Sequence, residues 1–214
     1  SYSISLGNTH QDGIISSTGM DRYNVKVSAD TKLTNNWSSG FTANYITTSI
    51  DKAVTSGNGL LRTVYAAPPS YDLAGIPSHV DGNLYAQNSF RGSFDNAYWA
   101  MENNKFTEDT NRFFGNVYAS YQTDFGTTNH KLNAKYMVGV DAYTTHYVDS
   151  YGYGSNTGGG RGQIENYGWT NATYNSLLTI NYDWHINEDW GLNAVVGNEI
   201  IQSNRKKYYE YGTN

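Results

Sequence analysis

The sequence predicts an all-β protein: about seven antiparallel strands connected up and down, as in part of a transmembrane β-barrel. Composition, a sustained period of two, and the alternation of short with long connections carry this prediction. Aromatic residues make up 15% of the chain, with 20 Tyr and 22 Gly, while Pro is held to 3 and Cys to none. Tyr, Val, Thr and Phe suit a pleated surface, and Asn and Gly suit turns. Charged residues are only 15%, against roughly 25% in ordinary globular domains. So aromatic a chain with a net charge of only -5 is not an intrinsically disordered one.

The strands are expected over residues 1–14, 21–33, 37–51, 111–125, 131–148, 169–186 and 189–204. In the second, Tyr23, Val25, Val27, Ala29, Thr31 and Leu33 alternate with Arg22, Asn24, Lys26, Ser28, Asp30 and Lys32. The same alternation runs from Phe113 to Phe125 and from Leu132 to Thr144. Across these three segments the apolar face carries no charge and every charged residue falls on the other. Arg22, Lys26, Asp30, Lys32, Lys135, Asp141 and Asp183 are therefore expected to line a polar lumen. Most of these segments exceed the usual strand of about 5 to 6 residues, as tilted strands that cross a bilayer do.

The connections 34–36, 126–130 and 187–189 are tight, whereas 16–20, 52–110 and 149–168 are longer. Short turns at one end and larger loops at the other match an outer-membrane barrel with its turns toward the periplasm and its loops outside the cell. Pro68, Pro69 and Pro77 all lie within 52–110, where no ladder hydrogen bond is required. Trp37, Phe125 and Trp184 sit beside the short turns; Tyr23, Tyr45, Phe113 and Tyr174 sit toward the long loops. Together they predict two interfacial aromatic girdles. From Tyr174 to Trp184 the strand covers roughly 25 Å of height at about 3.3 Å per residue and a tilt near 40°.

Other signals carry little chemistry. Without Cys there is no disulfide framework or thiolate site, and the five His show no metal-ligand spacing. Gly158-Gly159-Gly160-Arg161-Gly162 is not followed by the Lys-Ser or Lys-Thr of a phosphate loop. Glu102, Glu108 and Asp109 are loop acids with nothing to fix a catalytic separation. No enzyme activity and no cofactor are expected, and the scattered Lys and Arg give no basic stripe for nucleic acid. The aromatic-rich 52–110 segment is too long for an unstructured loop and is expected to fold. Within it Tyr71, Tyr98 and Trp99 are candidate substrate- or partner-binding residues, the competing expectation being that the loop's aromatics pack on one another.

Particular strings carry a family resemblance. Residues 1–7, 11–15 and 18–25, together with Val64-Tyr65-Ala66-Ala67-Pro68-Pro69-Ser70-Tyr71-Asp72, are similar to barrel segments of the SusC/RagA family of TonB-dependent outer-membrane transporters. The most specific string is Asp95-Asn96-Ala97-Tyr98-Trp99-Ala100-Met101-Glu102-Asn103-Asn104, leading into 110–116. The resemblance implies a 22-stranded barrel in the outer membrane of Bacteroidota, of which this chain supplies roughly one third. The plug, the TonB-contacting segment and the remaining strands are expected outside these residues. It further implies import of glycan or peptide oligomers, a SusD-like surface lipoprotein as lid, and energy from the TonB complex acting through the plug. A second class of function, a secreted β-rich carbohydrate-binding module using surface Tyr and Trp, fits the composition as well.

Overall fold

The structure, a computed structural model, describes residues 1–54, 59–126 and 129–213. Seven long strands form one antiparallel sheet: β1 (Tyr2–Asp12), β2 (Gly19–Lys32), β3 (Trp37–Lys52), then, after an insert, β6 (Lys105–Thr123), β7 (His130–Tyr151), β8 (Gln163–His185) and β9 (Gly191–Thr213). Each pairs with its neighbours in chain order, so the sheet reads β1-β2-β3-β6-β7-β8-β9. The insert holds α1 (Leu60–Ala66), a hairpin of β4 (His79–Val80) and β5 (Asn83–Gln87), and α2 (Ala97–Asn103).

The short turns are closed by side chains that replace missing ladder partners. Thr34 Oγ1 accepts from the backbone N–H of Asn36 and Trp37 at 3.2 and 3.1 Å, and Asn187 Oδ1 accepts from Asp189 and Trp190 at 3.0 and 2.8 Å. Both are side-chain mimics of a backbone turn, and they set the register of the hairpins they close. Residues 127–128 of the β6–β7 turn and 55–58 of the long connection lie outside the described residues.

Directly opposed residues on paired strands share a face, so the register assigns every side chain. Val27 faces Ile4 and Ala43, Tyr45 faces Val25 and Phe113, Val138 faces Val117 and Ser176, and Ile180 faces Ala134 and Val196. These residues lie on one continuous surface, and it is exposed: Ile4 and Val196 each keep 68% of their area. On this surface no Asp, Glu, Lys or Arg lies between the aromatic residues near the short turns and those toward the long loops. Charge begins only beyond them, at Asp21, Asp51 and Asp109.

Several expected limits move. At the long-loop end the ladder continues past the apolar pattern: β6 begins at Lys105 rather than 111, β7 ends at Tyr151 rather than 148, and β8 begins at Gln163 rather than 169. The last strand runs Gly191–Thr213 rather than 189–204, and the first is shorter, Tyr2–Asp12 rather than 1–14. The second runs Gly19–Lys32 rather than 21–33 and the third Trp37–Lys52 rather than 37–51, so the long connection is 53–104 rather than 52–110. Beyond the apolar surface polar and aromatic residues stand on both faces, with a few aliphatic ones such as Ile50, Val148 and Ile164; alternation fades there while backbone pairing persists. Phe125 also departs from expectation. It follows the end of β6, in the turn, with φ of 53°, and Tyr121 instead packs on Trp37 at 5.0 Å between ring centroids.

Candidate functional site

All seven residues expected to face a lumen lie on the polar face of the sheet, opposite the apolar surface. Asp30 accepts from the Tyr118 hydroxyl at 2.7 Å, and Lys135 Nζ sits 4.3 Å from the centre of that tyrosine ring. Asp141 takes both prongs of Arg112, at 2.8 and 2.5 Å, a bidentate pair that fixes the guanidinium. Asp183 accepts from Asn181 at 3.1 Å and from Asn193 at 2.5 Å. Arg22, Lys26 and Lys32 project from the same face and are exposed. The opposite surface carries Tyr23, Trp37, Tyr45, Phe113, Tyr174 and Trp184, each a third or more exposed. His130 joins the row beside the short turns, its ring nearly parallel to Trp184 at 5.6 Å.

Toward the long loops the polar face becomes aromatic. Register places Glu108, Tyr147, Tyr167 and Tyr209 in one cross-strand row over β6, β7, β8 and β9. Tyr147 and Tyr167 stack at 4.9 Å with 8° between planes, and Trp169 leans on Tyr147 at 5.3 Å. Lys52 bridges this row, bonding Glu108 at 3.1 Å with its Nζ 4.3 Å from the Tyr147 ring centre. One row further out Asp149 faces Glu165, and Tyr167 donates its hydroxyl to Asp149 at 3.1 Å. Burial first, and the Asp149 charge next, push the Tyr167 hydroxyl up to about 12, so it remains a neutral donor. None of Lys52, Tyr147, Asp149, Tyr167 or Trp169 was marked by the sequence as a site residue. The available signal was the aromatics recurring on one face of the strand, Tyr143 with Tyr147 four positions on and Tyr167 with Trp169 two positions on.

The insert packs against the β7–β8 connection around Asp95 and Trp99. Asp95 Oδ1 accepts from Gln87 Nε2 at 2.8 Å and from the backbone and side chain of Asn156 at 2.7 and 2.8 Å, and its Oδ2 accepts from Ser155 at 2.6 Å. Asn96 caps α2 through the N–H groups of Tyr98 and Trp99. Gly154, at φ of 99°, brings its backbone close to Tyr85 and Trp99; a Cβ there would meet the Tyr85 carbonyl at 1.9 Å. This arrangement corrects one expectation. Trp99 is completely buried, with its indole N–H donated to the Leu84 carbonyl at 3.3 Å, so it presents no face to a ligand. With Phe94 and Ala97 it belongs to the buried apolar residues of the insert, and its role is to hold the insert together. Tyr98, its neighbour on α2, is 43% exposed. Tyr71 is half-buried, donating to the Asn88 carbonyl at 3.2 Å and packing on Phe90 at 5.7 Å.

Two solved structures reproduce this architecture. Chains of the RagAB peptide importer in the closed-closed and open-open states match with TM-scores of 0.77 and 0.76 at 16% and 14% identity, each over 99% of this chain. No family model matches the sequence, and no curated protein matches it.

The chain spans about a quarter of the length of those solved chains, 24% and 23%. Its up-and-down sheet thus has the fold of a barrel segment. The free sides of β1 and β9 are the two edges of that segment, each paired on one side alone.

Proposed function

We propose that the chain is a membrane-embedded part of an outer-membrane nutrient importer of the TonB-dependent kind. One observation carries this reading: a seven-stranded sheet with the fold of a RagAB importer segment keeps a wide, exposed apolar surface that is free of charge between its aromatic rows. Soluble monomers seldom expose contiguous apolar patches beyond a few hundred Å². Lipid is the partner such a surface fits, with aromatic side chains at the two interfaces. The polar face then lines the lumen, where the Arg112–Asp141 and Tyr118–Asp30 pairs sit away from hydrocarbon. The same surface argues against a secreted carbohydrate-binding module, which would need it covered.

In this reading the role is non-catalytic. Oligomers of amino acids or sugars enter from the long-loop side, and the RagAB complex supports a lipoprotein lid of the SusD-like type and a peptide as the first substrate class to try. Further strands close the barrel, and a plug contacted by TonB gates it. Tyr98, exposed on the insert, is the residue offered to substrate or lid, with Tyr71, less exposed, as the second candidate. The test is deletion of the gene that carries this sequence, followed by growth on peptide and on glycan oligomers as sole nutrient, with the protein located by membrane fractionation. Recovery in the outer membrane and loss of growth on one oligomer class are expected. Recovery from the culture fluid, or unchanged growth on both classes, contradicts the proposal.

A further inference from the structure

Over the outer end of the polar face lies an open cleft of about 650 Å³, within the size range of small-ligand sites. Its floor is Phe106, Tyr151 and Tyr167, the first two in edge-to-face contact at 5.1 Å. Ile14 and Ile15, from the β1–β2 connection, and Val54 form apolar wall. Ile14 is fully exposed, an apolar side chain left without cover at the rim.

The charges around the cleft are unequal. Asp12 and Asp149 line it, and Glu165 stands directly across from Asp149 in the β7–β8 register. Like charges so opposed destabilise a sheet unless a cation lies between them. Lys52 is the sole cation lining the cleft among the described residues; it is bound to Glu108, and its charge is shared between Glu108 and Asp149. Tyr167 donates a hydrogen bond to the Asp149 carboxylate, and burial raises that carboxyl above its usual range. A carboxylate in a cleft walled by rings and aliphatic groups, where acids outnumber the one lysine, is complementary to a cation carried on an apolar stem.

We propose that this cleft binds the arginine or lysine side chain of a basic peptide, with Asp149 as counter-ion and Phe106, Tyr151 and Tyr167 along its stem. The assignment rests on the importer reading and narrows its substrate to peptides bearing positive charge. A protonated amino sugar carries its charge directly on a hydroxylated ring and has no stem for the Ile14, Ile15 and Val54 wall. An acidic side chain is repelled by Asp12, Asp149 and Glu165.

The test uses the full-length protein purified in detergent and a dye-labelled hexapeptide with one central arginine, followed by fluorescence anisotropy. The same peptide with citrulline, a neutral isostere, is the comparison, and unlabelled chitotriose is the amino-sugar competitor. The arginine peptide is expected to bind about tenfold tighter or more, as a charge-assisted contact requires. Asp149→Asn should bring the two peptides level, and Glu165→Gln, outside the cleft lining, should reduce the preference in part; heat-modifiable gel mobility identifies folded barrels. If Asp149→Asn does not fold, Glu165→Gln decides. Equal binding of the two peptides, a full preference surviving in a folded Asp149→Asn or in the deciding Glu165→Gln, or displacement by chitotriose as strong as by the arginine peptide, each overturns the proposal. Where oligomer uptake persists without charge preference, this inference alone fails; absence of the protein from the outer membrane removes the importer reading itself.

Discussion

Tyr98 and Trp99 are adjacent in sequence, yet α2 sends one outward and the other into the insert's interior. Their substitutions should therefore separate. Trp99→Ala empties a fully buried site and leaves the Leu84 carbonyl without its donor. A loss of about 3 to 5 kcal/mol is expected for such a truncation. It should appear as proteolytic cutting within 53–104 under conditions where the strands stay intact. Tyr98→Ala removes a ring that is 43% exposed and should leave the protease pattern unchanged while lowering oligomer uptake or lid co-purification. Equal protease resistance in both variants would put Trp99 outside the core. Asp95→Ala takes an acceptor from Gln87, Ser155 and Asn156 at once. The buried Ser155 hydroxyl loses its acceptor and the bonds that tie Gln87 and Asn156 to one carboxylate are cut, so it should loosen the insert and the β7–β8 connection together, read as paired gains in hydrogen exchange at 83–104 and 152–162.

The middle stretches of the long strands, where one face is free of charge, were legible because the side-chain period of a strand is fixed at two and an apolar face shows as an uncharged alternate set of residues. The same logic could not see the outer ends of β6, β7, β8 and β9, where Lys105, Glu108, Tyr147 and Tyr167 stand on strands whose two faces meet similar polar surroundings. Nor could it see the Asp95 clamp. Asp95 meets Ser155 and Asn156 across sixty positions of chain through a loop–loop contact that no local pattern encodes. The face assignment has a direct check. Val138→Arg and Ile180→Arg each place a charge in the middle of the apolar surface, at a cost of about 2 to 4 kcal/mol in a bilayer. Folded yield in lipid should drop sharply for both, and for Val27→Arg. Asn24→Arg and Asn133→Arg place the same charge on the polar face and should assemble normally. Equal yields in the two sets would mean that inside and outside are exchanged or that no bilayer is involved.

A sheet of seven strands that neither closes nor carries a second layer has two problems at once. Along β1 and along β9 every other residue turns its N–H and C=O away from its one partner strand, over 11 and 23 residues. In water these rows template pairing with other chains; in hydrocarbon each unsatisfied group costs several kcal/mol. The apolar surface adds a second drive to associate, since Tyr2, Ile4 and Leu6 on β1 and Val196 and Ile200 on β9 bring it up to both edges. Both costs disappear when further strands continue the sheet and lipid covers the outside, the arrangement proposed above. The 214 residues expressed alone should therefore fail to give a monomer in buffer. Refolded in detergent they should remain heterogeneous in sedimentation velocity, and addition of the remaining strands on a separate chain should convert them to a single species. A sharp, concentration-independent monomer in plain buffer would show that the edges and the apolar surface are satisfied within the chain, and the barrel-segment reading would fall with that result.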